Sequence, residues 1–400
     1  MSSRLSYVWL ATRRGLGAGA AAGLLRAFGS PEAIFAADRA ALTTAKDCPL
    51  RKVQVDALCD KNTDEAERIV AQCAKDGIQI ITLGDSAYPD RLRAIENPPV
   101  VLYVRGRWPD FDVTPGIAVV GTREATPYGL QTAEHIGSAL GKAGFITVSG
   151  MALGNDGAAH RGALRAGGLT VAVLAGGVDV CYPPQHRGLM GDILLSGAIV
   201  SEYPPGTEPR GEHYHDRNRI ISGLSVAAVI VEAPGYRSGA LITARAALDQ
   251  GRDVYAVPGA LDAPQSAACN ELIEKGEAAL LRSPEALVRT YSGLLHAPAA
   301  PYRAPRPAWR TAGTKPASRP IKPKPQSSAQ PAPPSCGTLP DSLSGDERRI
   351  AELVQQGVGT PEDLIARCGL PAPRVMSLIT MLEMDGILRR EKGRLVMGRQ

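Results

Sequence analysis

Apolar and polar positions alternate along the chain in three different rhythms. From residue 1 to about 80 they recur at helical spacing: Ser6 to Arg13 and Gly17 to Phe28 read as helices, and Ser30-Pro31-Glu32 opens another through a polar cap and a first-turn proline. Between 117 and 250 the rhythm changes. Four apolar runs of strand length each stop at a glycine- or serine-rich turn, and a helical pattern follows at once. They are Ile117 to Val120 into Gly121-Thr122-Arg123, Ile146 to Val148 into Ser149-Gly150-Met151-Ala152, Val171 to Leu174 into Ala175-Gly176-Gly177, and Val226 to Val231 into Glu232 to Gly239. That alternation predicts an α/β domain built on a parallel sheet. From 345 to 400 the pattern predicts a winged helix. Asp346 to Gln356 is one helix, Thr360-Pro361-Glu362-Asp363 caps a second ending near Cys368, and Val375, Leu378, Ile379 and Leu382 stripe a third that stops at Gly386. Ile387 to Arg390 and Arg394 to Met397 then form a hairpin closed at Glu391-Lys392-Gly393.

Ten prolines from Pro301 to Pro334 deny residues 296–344 a helix or a ladder, so an extended, disordered tether is predicted there. The expected domains are therefore a helical segment at 1–80, the sheet domain at 81–295, the tether, and the winged helix at 345–400. Within the first, Arg14-Gly15-Leu16-Gly17 between two helices resembles a helix-hairpin-helix or SAM-like turn. Such a turn presents backbone N–H groups to a DNA phosphate, although glycine also simply ends helices.

With 44% hydrophobic and 21% charged residues in 400, the chain is expected to be soluble and to hold more than one domain. Its seven cysteines include no C-x-x-C pair, which argues against a disulfide framework or a zinc module and fits a reducing cytoplasm. No apolar run is long enough for a membrane span, and the first residues do not read as a signal core. The net charge is +5, but residues 297–344 carry seven Lys or Arg against Asp341 alone, which leaves about −1 for everything else. Binding to a polyanion would then depend on placed arginines and backbone donors rather than on a global field. The winged helix, with nine bases against eight acids, leaves open whether Arg374, Arg389, Arg390, Lys392 and Arg394 meet DNA or solvent.

In an open parallel sheet the four turns lie together at the carboxyl edge, where helix N-termini and the switch in strand order form a crevice suited to a phosphate-bearing ligand. The absences narrow that ligand. Gly121-Thr122-Arg123 is not a G-x-G-x-x-G loop, and the second strand ends at Ser149 rather than at a ribose-binding acid, so NAD is not expected. Gly137 to Lys142 has the wrong spacing for a P-loop and lies in a helical pattern. His213-Tyr214-His215 lacks a third metal ligand and reads as loop surface.

Several longer stretches carry a resemblance to a known family. They are Pro98 to Gly106 leading to Ala118 to Arg123, Ser149 to Ala152 followed by Asp156 to His160, and Tyr182-Pro183 with His186. Ser201 to Gly206, Arg217 to Ser225, Arg237-Ser238-Gly239 and Gly251 to Gly259 complete the set. Together they resemble the DNA-processing protein A family (DprA, also called Smf) over roughly residues 80 to 285, and the flanking helices and winged helix match that family's arrangement. The resemblance implies an extended Rossmann-like parallel sheet and a protein that binds single-stranded DNA, forms a homodimer, protects incoming strands and loads RecA during natural transformation. It implies no catalytic step and no cofactor. The chain departs from the family pattern at Asn155, His215, Asp216, Ala240 and Leu169, the last standing where relatives often carry lysine.

The expected contacts are these. Arg123 places its guanidinium on a phosphate, helped by the N–H groups of Gly121 and Thr122. Ser149, Gly150 and Met151 line the next turn and Gly176 and Gly177 the third. Of Arg217-Asn218-Arg219, one arginine faces the crevice and the other pairs with Glu232 or another acid. Ser238 and Gly239 open a helix whose N-terminus attracts phosphate, unless Ser238 caps it. Asp156 and His160, four apart on one helical face, brace the loop or touch the ligand. Two other readings stand beside this one. A phosphoribohydrolase-like nucleotide enzyme lacks its glutamate here, since Pro234 to Ala240 leads to Leu241-Ile242-Thr243. A duplex-DNA regulator would read DNA through the winged helix.

Overall fold

The computed structural model describes residues 1–45, 48–235, 238–295, 345–358, 360–370, 375, 378–379, 382, 387–391 and 394–397. Two compact units lie within residues 1–313 and 314–400. The predicted tether at 296–344 lies outside the described residues.

The strands of the first unit are β1 (Gln79–Thr82), β2 (Val101–Gly106), β3 (Gly116–Val120), β4 (Ile146–Ser149), β5 (Thr170–Val173), β6 (Ala198–Ser201), β7 (Ser225–Ile230), β8 (Asp253–Ala256) and β9 (Ala279–Leu280). They form one sheet in the order β1-β2-β6-β5-β4-β3-β7-β8-β9. From β6 through β9 all neighbours are parallel, and β2 and β1 extend the edge antiparallel. The four predicted strands are β3, β4, β5 and β7. All are buried along their whole length, which is why their sequences are unbroken apolar runs rather than alternating ones.

Helices α1 (Ser3–Ala11), α2 (Ala18–Phe28), α3 (Pro31–Ala36), α4 (Arg39–Thr43), α5 (Lys52–Cys59) and α6 (Asp64–Lys75) precede the sheet. They share an apolar cluster with β1, β2, β5 and β6, so the amino-terminal helices and the sheet have a common core. Trp9 anchors it, fully buried and edge-on to Phe35 at 4.9 Å. The turn at Gly15 (φ 74°) is braced from α5, because its carbonyl accepts hydrogen bonds from Gln54 at 2.9 Å and Arg51 at 3.4 Å. The short α7 (Asp90–Arg93) lies between β1 and β2.

After β3 come α8 (Pro127–Ala143), α9 (Asn155–Arg165), α10 (Arg187–Ser196), α11 (Gly211–Gly223), α12 (Gly239–Asp249), α13 (Ala267–Glu274) and α14 (Pro284–Tyr291). Residues of α11, α12 and α13 pack with Ala118, Val148, Val171 and Ala228 on one face of the sheet. Those of α8, α9 and α14 pack with Ile117, Val119 and Val229 on the other. The split follows from the two-residue repeat of the strands. Gly137 to Lys142 lies inside α8, with no phosphate loop there. The chain builds outward from β3 to β6 and then returns to set β7 on the far side of β3, so the strand order switches between those two.

In the second unit α15 (Gly345–Gln355) and α16 (Pro361–Cys368) are followed by the antiparallel pair β10 (Leu388–Glu391) and β11 (Arg394–Met397). The Thr360 hydroxyl accepts from the Asp363 amide at 3.2 Å, the cap its position foretells. Of the predicted third helix, Val375, Leu378, Ile379 and Leu382 are described, all buried against Ile350, Leu364 and Leu388. The turn residues Lys392 and Gly393 lie outside the described residues. Among the described residues no helix is long and apolar enough to cross a membrane.

Candidate functional site

A cleft of about 510 Å³ opens at the carboxyl ends of β3 and β7. Its walls are the turn after β3 (Gly121, Thr122, Arg123), Asp156 of α9, Tyr214, Arg217 and Asn218 of α11, and Ser238, Gly239 and Thr243 at the start of α12. The β3 turn needs glycine at its first position, because a Cβ on Gly121 would lie 2.3 Å from Asn155 Nδ2. Asn155 is fully buried, and neither polar atom of its amide has a partner.

One backbone donor of this turn is already engaged: the Thr122 N–H donates to the Glu232 carbonyl at 2.8 Å. The expectation that the Thr122 amide helps Arg123 hold a phosphate is therefore corrected, because a long-range partner consumes it. The open donors lie across the cleft. Ser238 occupies the N-cap of α12 without making a side-chain capping bond, so an uncapped helix N-terminus with Gly239 and Ala240 faces the cleft.

Among the described residues, the two arginines that line the cleft converge on Tyr214. Arg123 is exposed, with its guanidinium carbon 4.7 Å from the ring centroid, and that of Arg217 is 5.8 Å from it. Arg217 is buried. It donates to Asn218 Oδ1 and to the Gly150 carbonyl, both at 2.9 Å, and to the Val173 carbonyl. Burial pulls its pKa below the usual arginine value and Asp156 opposes the shift, yet a guanidinium keeps its proton at any accessible pH. Burial likewise raises the Asp156 carboxyl, against the charge of Arg217 and the N–H groups of Ala152, Gly150 and Gly121. Asn218 donates to the Gly239 carbonyl at 3.2 Å and so ties α11 to the mouth of α12.

Of the two arginines around Asn218, Arg217 is the one in the cleft. Arg219 forms a largely buried ion pair with Glu202 outside the cleft lining, which corrects its assignment as a ligand contact. Glu232 serves neither arginine, since its carboxylate accepts from the Thr126 amide at 3.0 Å and from the Thr126 hydroxyl.

The second and third turns are corrected too. The Ser149 hydroxyl donates to the Val119 carbonyl at 2.6 Å within the core, and the Gly150 amide donates to Asp156 at 3.1 Å. Met151, at φ 55°, sends its side chain into the apolar cluster shared with the amino-terminal helices and is fully buried. Gly176 and Gly177 are buried under the loop at 204–209. The Gly177 amide donates to the Thr207 carbonyl at 2.8 Å, and a Cβ on Gly176 would lie 2.7 Å from the same oxygen. The loop at 204–209 roofs over the third turn, and of the second turn only Ala152 reaches the cleft.

Asp156 and His160 also diverge, for Asp156 lines the cleft while His160 is buried beneath it. The Thr170 hydroxyl gives its one proton to the Thr147 carbonyl at 2.8 Å, so the 2.6 Å contact to His160 has Nδ1–H as donor and leaves Nε2 without a partner. Desolvation pushes this imidazole down to about 3.

His213-Tyr214-His215 is helix rather than loop. His213 stacks on Tyr203 at 4.0 Å and contacts the Ala175 carbonyl at 3.0 Å, while Tyr214 faces the cleft. Tyr214 is missing from the expected contacts, although it lies three positions before Arg217 and so on the same helical face.

The family described as DNA recombination-mediator protein A matches residues 79–292, and the DprA winged helix domain matches residues 327–394. Protein Smf of Synechocystis is 44% identical over 206 residues, covering 51% of this chain and 52% of that protein, about half its length. DNA processing protein DprA of Bacillus subtilis is 38% identical over 213 residues, 53% of this chain and 71% of its own. The putative DNA processing protein DprA of Mycobacterium tuberculosis is 34% identical over 348 residues, 84% of this chain and 80% of its own. Among solved structures, DprA from Streptococcus pneumoniae aligns with a TM-score of 0.56 at 31% identity, covering 71% of this chain and 97% of that one. With its sheet domain and its winged helix both matched and a relative 34% identical over 84% of the chain, the protein belongs to the DNA recombination-mediator protein A family, DprA/Smf.

Proposed function

We propose that this chain binds single-stranded DNA across the cleft, as a homodimer in the cytoplasm, and hands the strand to RecA during uptake of foreign DNA, with no catalytic step of its own. The observation that carries the reading is the pair of arginines on Tyr214 opposite the uncapped start of α12. A phosphate there meets the exposed Arg123 and a helix N-terminus, while Tyr214 and the planar Arg123 guanidinium offer stacking surface to a base. None of these contacts reads a base edge, so little sequence preference is expected. The absence of a glutamate between Pro234 and Thr243 weighs against the phosphoribohydrolase reading.

The test is fluorescence anisotropy with labelled single strands and duplexes over a salt series. The unaltered protein should prefer the single strand. Arg123→Ala should weaken it about tenfold, the loss of one charge-assisted contact, and lower the salt slope by about 0.7. Equal affinity for duplex, or an unchanged slope in the variant, would remove the reading. Release of a base from a nucleoside monophosphate would favour the enzyme instead.

A further inference from the structure

The third turn of the sheet edge contributes a ring where amides were expected. Beyond the roofed Gly176-Gly177 the same loop reaches Tyr182, whose side chain is 48% exposed. It leans on Tyr214 with the ring centroids 6.3 Å apart and the planes at 59°. Tyr214 is half-buried and carries the Arg123 guanidinium over its ring, so Tyr182 extends the aromatic surface outward from the charged end of the cleft.

On this basis, and resting on the single-strand reading above, we infer that Tyr182 is a base-stacking residue that receives the nucleobase next to the phosphate held at Arg123. A strand whose phosphate meets Arg123 directs its neighbouring base past Tyr214 onto the exposed ring. The 59° between the two rings means that bases resting on both are splayed rather than parallel. In a duplex successive bases are stacked on each other and paired, and no face is free for a side chain. Tyr182 thus selects unpaired nucleotides by their exposed π faces, whereas Arg123 senses only charge and contributes equally to any polyanion.

The experiment uses the full chain with Tyr182→Ala and Tyr182→Phe. It measures anisotropy of labelled oligothymidylate and of an abasic strand of equal length, which keeps sugars and phosphates but lacks bases. Tyr182→Ala should bind oligothymidylate about tenfold more weakly, in line with the loss of one stacked base, with its salt slope and abasic affinity unchanged. Tyr182→Phe should bind as the unaltered protein does, because the ring and not the hydroxyl carries the contact. If Tyr182→Ala binds oligothymidylate normally while Arg123→Ala is weakened, the stacking role falls and the single-strand reading stands. An equal loss on both strands in Tyr182→Ala would mark the residue as merely structural and overturn the inference. Failure of the unaltered protein to bind either strand would overturn both readings.

Discussion

Arg123 and Arg217 approach the same ring from different environments, and that difference separates recognition from support. The exposed Arg123 loses little on solvation when free and is available to a ligand, whereas Arg217 spends its donors on the Gly150 and Val173 carbonyls and on Asn218. Those bonds hold the β4 turn against α11. His160 gives similar support from a layer below, and its burial has a consequence in acid. With a native value of about 3 against an ordinary 6.5, the unfolded chain binds the proton more readily throughout that interval. Stability should therefore fall as pH drops from 6.5 towards 3, by up to about 1.4 kcal/mol per unit from this one group. Urea titrations across that range should show a shallower decline in His160→Gln than in the unaltered protein. Parallel slopes would mean that the imidazole is not held neutral.

At the level of elements, the cleft depends on how closely α8 and α9 cross. A Cβ on Gly137 would lie 2.1 Å from the Ala159 carbonyl oxygen, and one on Gly162 would lie 2.0 Å from that of Glu134. These are backbone atoms and cannot swing aside. Since α9 begins at Asn155 and carries Asp156, its seating on α8 positions the carboxylate that accepts from the Gly150 amide. Gly137→Ala should cost about 1–3 kcal/mol through overpacking, more than the helix propensity it gains, and should lower the urea midpoint. An unchanged midpoint would mean that the helices do not meet through this residue. Strands β3, β4, β5 and β7 were legible beforehand because burial on both faces writes itself as an apolar run. β9 was not, being two residues long and exposed, and the antiparallel β1–β2 edge carries no glycine- or serine-rich turn of the kind that marks the other four. Tyr214 was misplaced for a different reason: two histidines around a tyrosine look like loop surface until the helix from Gly211 is recognised.

For the whole molecule, the cleft and all its supports lie within the compact unit at 1–313. A chain ending at Gly313 should fold, melt cooperatively and bind single strands within a few-fold of the full protein with the same salt slope, since the phosphate contacts that set the slope are retained. Anisotropy on the truncated chain checks this. A loss beyond about tenfold would move the main phosphate contacts into the remaining residues. The near-neutral charge outside the tether is consistent with a site made of a few placed groups rather than a broad basic field.

The α/β alternation, the cap of α16, the capped start of α3 and a crevice at the carboxyl edge of the sheet could all be read before any coordinates, because backbone sterics and burial act on neighbouring residues and leave a local periodic trace. Which donors remain free could not. Thr122 loses its amide to a residue more than a hundred positions away, Gly177 loses its own to the loop that returns after β6, and Arg219 rather than Arg217 finds an acid in Glu202. A hydrogen bond of that range leaves no mark in the spacing of either partner. Whether a turn binds a ligand or is closed by its own chain was therefore settled by packing.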